Sequence, residues 1–186
     1  MPAPVRQISG DLPFRLWDPM DRFRNTRSRI PIRLYRAQFS FPPHLTIGRD
    51  IDTNDSRSIP EDDRTLTTAV SRAAQNSFDR NGPFLLAVAT LELAENMALA
   101  CPAASEVVTI DPFFIPQRNI FKLSDLTQEL GIDMRSCGHD QAETELVGWL
   151  ILHRISKDAI VTRIGKDAIE QSRSHNAAQT LLLLRQ

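Results

Sequence analysis

The feature that most limits the fold is an apolar run that follows an Asn81-Gly82-Pro83 turn signal. Residues 84–91 read Phe-Leu-Leu-Ala-Val-Ala-Thr-Leu, which is strand length and apolar apart from Thr90. A strand without polar alternation has no face that prefers water, so it belongs in the interior of a sheet. The run therefore predicts a central strand.

The remaining patterns predict a mixture of strands and helices. Further strands are expected near residues 32–36, 107–110, 145–152 and 160–164, and the first of these carries Arg36. A helix is expected from about Ser71 onward, after a polar turn at Thr67-Thr68 and ended by Asn81-Gly82-Pro83. A short helix should cover residues 126–130, capped by Ser124 and ended by Gly131. The tail from residue 166 to 186 is compatible with a helix, so the sequence predicts an α+β fold.

Length and charge limit the class of protein. A chain of 186 residues fits one domain, which we expect to span residues 31–186. Residues 1–30 contain four prolines and no sustained period, and residues 1–36 hold eight arginines against three aspartates, so this end is interpreted as an irregular basic arm. The acidic stretch at residues 50–63 is interpreted as a polar surface loop. The net charge of -1 argues against a strongly basic nucleic-acid binder.

Several kinds of site and segment have no signal in the sequence. The two cysteines and four histidines have no metal-ligand spacing, and no glycine-rich phosphate loop is present. No apolar run approaches the roughly 18 residues of a membrane helix. The first residues lack the apolar core of a Sec signal peptide, so we expect a protein that acts where it is made or leaves by another route.

Three separate segments carry residue types that occur together in one enzyme family. They are Leu34-Tyr35-Arg36-Ala37 with Pro42-Pro43, then Leu66-Thr67-Thr68-Ala69, then Glu143-Thr144-Glu145-Leu146. In this order they resemble the mono-ADP-ribosyltransferase toxins of the cholera and pertussis type. The signature of that family is a strand arginine, a Ser-Thr-Ser-like turn and a Glu-x-Glu or Gln-x-Glu pair. Ala69 departs from the pattern, since the family commonly has a third hydroxyl there.

The resemblance implies a fold and a co-substrate. The fold would be a single ADP-ribosyltransferase-like domain of two small, packed, mostly antiparallel sheets with flanking helices. NAD would be the co-substrate, without a metal. Arg36, with Tyr35 beside it, would bind NAD, because an arginine fork on a strand suits the pyrophosphate. Thr67 and Thr68 would support the cofactor site by holding Glu145 in its orientation.

The resemblance also implies roles for the two glutamates. Glu145 would be the catalytic carboxylate, because a fixed negative charge stabilises the oxocarbenium-like state formed as nicotinamide leaves. Glu143 would point to the same side of an extended segment and would orient or deprotonate the acceptor. In the family, a Glu-x-Glu pair is associated with arginine acceptors. The other interpretation of Glu143 is an exposed charge on a loop.

The expected function is therefore NAD-dependent mono-ADP-ribosylation of a host or competitor protein, with no nucleic-acid or membrane partner. Such a chain would be a bacterial effector or toxin, secreted by a non-Sec route and acting in the target-cell cytoplasm. One alternative is an NAD glycohydrolase, in which water replaces the protein acceptor. Another is a catalytically silent binding or adaptor module, an interpretation that the altered Thr67-Thr68-Ala69 element keeps open. An unrelated α+β protein remains a further alternative.

Overall fold

The computed structural model describes residues 19–23, 29–39, 49–54, 59–75, 80–101, 106–134 and 141–183. Its strands are β1 (Leu34–Gln38), β2 (Ile51–Asp52), β3 (Phe84–Val88), β4 (Glu106–Ile110), β5 (Ile120–Lys122), β6 (Gly148–Leu152), β7 (Arg154–Ile155) and β8 (Ile160–Gly165). Its helices are α1 (Asp63–Gln75), α2 (Leu91–Ala100), α3 (Leu123–Glu129), α4 (Gln141–Val147) and α5 (Lys166–Leu183). Short 3-10 turns cover Asp21–Phe23, Pro112–Phe114, Gln117–Asn119 and Lys157–Ala159.

Antiparallel pairing joins the strands into two sheets of unequal size. The larger sheet has the order β5-β6-β3-β1-β4-β8, and the smaller sheet pairs β2 with β7. Every pairing within the described ranges is antiparallel. The α+β prediction is confirmed. The resemblance implied two small sheets, whereas the structure has one sheet of six strands and one of two strands.

The central strand β3 is covered on both faces. All five of its residues are buried, which confirms a central strand, although the strand ends at Val88 and the last residue of the predicted run, Leu91, begins α2. Leu86 belongs to a helix-side core, formed with Leu66, Val70, Leu123, Leu126, Leu150 and other buried residues. Ala87, which points the other way, belongs to a second-sheet core, formed with Leu34, Ile51, Val108, Trp149, Ile155 and other buried residues. The larger sheet therefore separates two packed layers.

Part of the expected N-terminal arm contributes to the core. Met20 is 0% exposed and Phe23 is 3% exposed, and both pack in the helix-side core. Arg22 pairs with Asp63 at the start of α1, with 2.9 Å between Nη2 and Oδ1. The short turn at residues 21–23 is thus attached to the domain, while residues 1–18 and 24–28 lie outside the described residues.

The predicted turn at Thr67-Thr68 is wrong, because both residues lie within α1. The helix begins earlier than expected, since Asp62 caps it. The Oδ1 atom of Asp62 accepts a hydrogen bond of 2.7 Å from the backbone N–H of Thr65. The hydroxyl of Thr65 lies 3.1 Å from the backbone N of Asp62 in return. This reciprocal cap satisfies donors at the first turn and starts the helix eight residues before the predicted Ser71.

The predicted strand at residues 145–152 is also shorter than expected. Residues 141–147 form helix α4, and strand β6 begins only at Gly148. Gln, Ala and Glu at positions 141–143 are favourable in helices, and Leu146 is 68% exposed. Leu146 is therefore not part of a buried strand. Glu145 lies on a helix, not at the entrance of a strand.

Candidate functional site

Arg36 lies near the middle of the larger sheet. It is in β1, opposite Val108 of β4, and its residue is only 1% exposed. Its Nη1 atom donates a hydrogen bond of 2.6 Å to the carbonyl oxygen of Leu86 in β3. By strand alternation its side chain lies on the face of the second-sheet core, together with Leu34. Tyr35 points to the opposite face and packs with Ala37 and its neighbours.

Thr67 and Thr68 do not support Glu145. The hydroxyl of Thr67 donates to the carbonyl oxygen of Asp63 at 2.7 Å, and that of Thr68 donates to the carbonyl oxygen of Arg64 at 2.9 Å. These bonds run back along α1, a common way for a helix to accommodate threonine. The expected contact of these two residues with Glu145 is therefore wrong. Their role in binding NAD stays a prediction.

Glu145 is held by a residue that the sequence did not single out. Its Oε1 atom accepts a hydrogen bond of 2.5 Å from the hydroxyl of Thr127, which lies on α3 and is 1% exposed. The two residues are 18 positions apart, so no local spacing could have revealed the pair. The contact depends on α4 packing against α3. A short hydrogen bond from a buried hydroxyl fixes this carboxylate firmly.

Glu143 and Glu145 do not share one side of an extended segment, because both lie in α4. Positions two apart on an α-helix differ by about 200° around its axis, so they face nearly opposite directions. The side chain of Glu143 lies outside the described residues. Its proposed role toward an acceptor is therefore still a prediction, but the geometric reason for it no longer holds.

The larger sheet separates Arg36 from Glu145. Arg36 shares its face with residues of the second-sheet core. Glu145 is bound to Thr127, whose neighbour Leu126 belongs to the helix-side core on the other face. Within the described residues, the arginine and the glutamate are thus not brought together at one cleft.

A polar cleft of about 800 Å³ opens beside the face that carries Arg36. Gln38, which follows Arg36 on the same face of β1, lines it. The other described lining residues are Arg49, Asp50, Ile51, Asp52, Thr53, Asn54, Arg80, Arg154, Ser156, Lys157, Asp158 and Arg163. Five cationic side chains and three carboxylates therefore line the cleft. A cleft of this volume and charge suits a small charged ligand.

One wall of the cleft is tied together by Glu106, which is 6% exposed. Its Oε1 atom accepts from Nε2 of Gln38 at 2.5 Å and from Nη1 of Arg163 at 2.7 Å. Nη2 of Arg80 lies 3.4 Å from Oε1 of Gln38. Burial lowers the pKa of the Arg80 guanidinium, the Glu106 carboxylate opposes that shift, and the nearby Arg163 adds to it.

The opposite wall is the small sheet. Arg154 of β7 forms ion pairs with Asp50 and Asp52, so these two acidic residues are paired at the cleft. Thr53 follows β2, and its backbone N–H donates to the carbonyl oxygen of His153 at 2.8 Å. Thr53 is 4% exposed, yet its hydroxyl has no hydrogen-bond partner among the described residues. A buried hydroxyl without a partner needs an explanation.

The described ranges contain no helix with the length and hydropathy needed to cross a bilayer. They also contain no group of three or more His, Cys, Asp or Glu residues arranged to hold a metal ion.

Comparison with known proteins places the chain in no family. No protein-family model matches it, and no curated protein matches it. Among solved structures, it is similar to a chain titled EcPltA, with 15% identity and a TM-score of 0.49. That likeness covers 73% of this chain and 75% of the other. A likeness of this size assigns neither a family nor a function.

Proposed function

We propose that this chain is an NAD-dependent mono-ADP-ribosyltransferase that binds NAD at the cleft beside Arg36 and modifies a target protein, with arginine as the favoured acceptor. The proposal rests on the order of the three resembling segments. The observation that carries it is the location of Arg36 on β1, on the face where Gln38 meets the cleft. Under this proposal the protein is a secreted effector that acts in the cytoplasm of a target cell.

The proposed reaction breaks one bond and forms another. The bond between C1′ of the ribose and the nicotinamide nitrogen breaks, and nicotinamide leaves with the electron pair. A nitrogen of the acceptor guanidine forms a new bond to C1′ and releases a proton. A carboxylate is needed to stabilise the positive charge that develops on the ribose. Glu145 is the proposed residue, and Arg36 would contact NAD once residues that cover it move aside.

The test compares two glutamate variants. Glu145→Gln keeps the shape of the side chain and removes its charge, and Glu129→Gln is the control, because Glu129 is exposed on the neighbouring α3. Each protein is incubated with labelled NAD and a lysate, and nicotinamide release and protein labelling are both measured. For the transferase, both signals appear and both are lost in Glu145→Gln alone. Full activity of Glu145→Gln would contradict the role of Glu145. Nicotinamide release without protein labelling would favour the glycohydrolase.

A second candidate is a module that binds NAD without cleaving it. The observation that favours it is the separation of Arg36 from Glu145 by the larger sheet, which leaves the predicted carboxylate away from the cleft. Calorimetric titration with NAD separates the two candidates. Binding without nicotinamide release supports the module, and the absence of both binding and release overturns both proposals.

A further inference from the structure

Beside the small sheet, two cations without an ion-pair partner among the described residues lie at one end of the cleft, and a hydroxyl without a hydrogen-bond partner among them lies at the other. The pairing of Ile51 with Ile155 sets this arrangement. At one end, the backbone N–H of Lys157 donates to Oδ1 of Asp50 at 2.6 Å, which brings Lys157 beside the segment that starts with Arg49. At the other end lies Thr53. Four residues of extended chain separate the two ends by roughly 13 Å.

We propose that this wall of the cleft binds a nucleotide, with its phosphate groups at Arg49 and Lys157 and a polar group of its nucleoside at the hydroxyl of Thr53. The inference names a ligand class and new binding residues for the cleft in which we propose that NAD binds. It rests on that proposed function for its link to catalysis. The residues that carry it are not among those that the family resemblance identified.

The charge of the cleft favours an anion. Of its three carboxylates, Asp50 and Asp52 are engaged by Arg154, so only Asp158 is left to offset the other four cationic side chains in the lining. Within the part of the chain that the structure describes, neither Arg49 nor Lys157 has an ion-pair partner. Arginine and lysine side chains in such a setting are the usual ligands of phosphate.

The wall built around Glu106 brings two further arginines to the cleft. Arg163 donates from Nη2 to the carbonyl oxygen of Arg49 at 3.2 Å, so its guanidinium lies near the same end, where Glu106 pairs with it. Arg80 is repelled by the nearby Arg163 and attracted more strongly by Glu106, so the existing carboxylate already offsets this repulsion. The backbone N–H of Asn54 donates to the carbonyl oxygen of Arg80 at 2.6 Å, which brings Arg80 close to the Thr53 end.

Thr53 gives the second, independent indication of a ligand. Its side chain is more than nine-tenths buried and lines the cleft, and a hydroxyl in that position is left unpaired only at an energetic penalty. A ligand oxygen that accepts from this hydroxyl removes the penalty. The distance between Thr53 and the cations exceeds a single phosphate and fits a molecule of nucleotide size.

The experiment is calorimetric titration of the full chain with ADP, NAD, inorganic pyrophosphate and adenosine. We expect ADP to bind and adenosine to bind at least about tenfold more weakly, because charge-assisted hydrogen bonds to phosphate are lost. Pyrophosphate should bind more weakly than ADP, since it cannot reach Thr53. Comparison of NAD with ADP shows whether the site takes the dinucleotide or a mononucleotide. Equal affinity for ADP and adenosine, or no ADP binding, overturns the proposal.

Three variants test the residues. Arg49→Gln and Lys157→Gln should each weaken ADP binding about tenfold, whereas Arg118→Gln, on an exposed turn away from the cleft, should leave it unchanged. Thr53→Val removes the hydroxyl at constant shape and should weaken ADP binding several-fold, and Thr53→Ser should restore it. Circular dichroism and thermal unfolding confirm that each variant is folded. Unchanged ADP affinity in folded Arg49→Gln and Thr53→Val would refute the assignment.

The outcomes separate this inference from the proposed function. If ADP binds as expected and NAD is never cleaved, the nucleotide site stands and the transferase proposal fails. If NAD is cleaved with labelling of protein but the variants leave ADP affinity unchanged, the transferase proposal stands and this wall is not the binding site.

Discussion

Replacing Gly148 by alanine should destabilise the fold, because the junction of α4 and β6 has no space for a side chain. A Cβ atom at this position would overlap the carbonyl oxygen of Thr144. It would also lie 3.0 Å from Cδ2 and 3.3 Å from Cβ of Leu123, which is fully buried. The first obstacle is backbone within α4, so it cannot rotate away. The helix must therefore shift relative to β6.

The size of the effect follows from the kind of obstacle. Overpacking a core commonly lowers the free energy of unfolding by about 1–3 kcal/mol. A clash with backbone belongs at the upper end, so we expect about 3 kcal/mol for Gly148→Ala. For a chain of this length, each kcal/mol shifts the melting temperature by about 2–4 °C, which gives a decrease of about 6–12 °C.

Thermal unfolding followed by circular dichroism measures this decrease, and Gly82→Ala is the matched control. Gly82 precedes β3, and a Cβ atom there meets nothing within 4 Å. Alanine at that position should leave the melting temperature unchanged or raise it slightly, since it restricts the unfolded chain. Equal melting temperatures for the two variants would refute the packing described for α4 against β6.

Three further substitutions test other contacts. Hydrogen bonds from the backbone and hydroxyl of Thr65 lower the pKa of Asp62, so this cap stabilises the fold above the usual carboxyl pKa and is lost as pH falls through the lowered pKa. Asp62→Ala should therefore lower the melting temperature near neutral pH and lose that effect in strong acid; a pH-independent difference would contradict this. Thr127→Val should reduce the unfolding free energy by about 1.5–3 kcal/mol in urea titrations, because Glu145 loses a charge-assisted donor; an unchanged value would argue against the bond. Thr53→Val should leave the melting temperature unchanged or higher, and a large decrease would mean that its hydroxyl has a partner.

The strands of the larger sheet could be predicted because burial leaves a direct trace in the sequence. Residues 84–88 are apolar without alternation, and they form a strand that is buried on both faces. Val107–Ile110 and Ile160–Ile164 were predicted within a residue of the observed strands β4 and β8. The expected helical tail is observed from Lys166 to Leu183. In each case the local pattern and the tertiary packing favour the same structure.

The errors occurred where local preference competed with a longer pattern. The apolar run after Glu145 was interpreted as one strand, although the helix-favouring residues before it extend α4 to Val147. Thr67-Thr68 was interpreted as a turn, although each hydroxyl can bond the carbonyl four residues earlier in a helix. Both errors concern residues on which the family resemblance depended.

The cleft could not have been predicted from spacing. Its walls come from β1, β2, β7, β8 and the segment before β3, and β2 and β7 contain only two residues each. Strands of that length have no measurable period. The pairing of Asp50 with Arg154 spans 104 positions, so the acidic stretch could only be interpreted as a surface loop. The contact of Thr127 with Glu145 could not be predicted either, because the two residues are 18 positions apart.

The position of α4 determines whether a ligand in the cleft can be cleaved by Glu145. In the described structure the carboxylate is bound to Thr127 on the helix side of the sheet, while the cleft lies on the other side. Binding a nucleotide at Arg49 and Thr53 requires no change at α4. Cleavage by Glu145 requires that α4 release Thr127 and move. Gly148→Ala displaces the same helix, so it should change nicotinamide release, if the chain cleaves NAD, while ADP affinity stays the same. A parallel loss of nicotinamide release and ADP affinity would mean that the cleft itself depends on the α4–β6 junction. The sheet would then not separate the binding site from the catalytic residue.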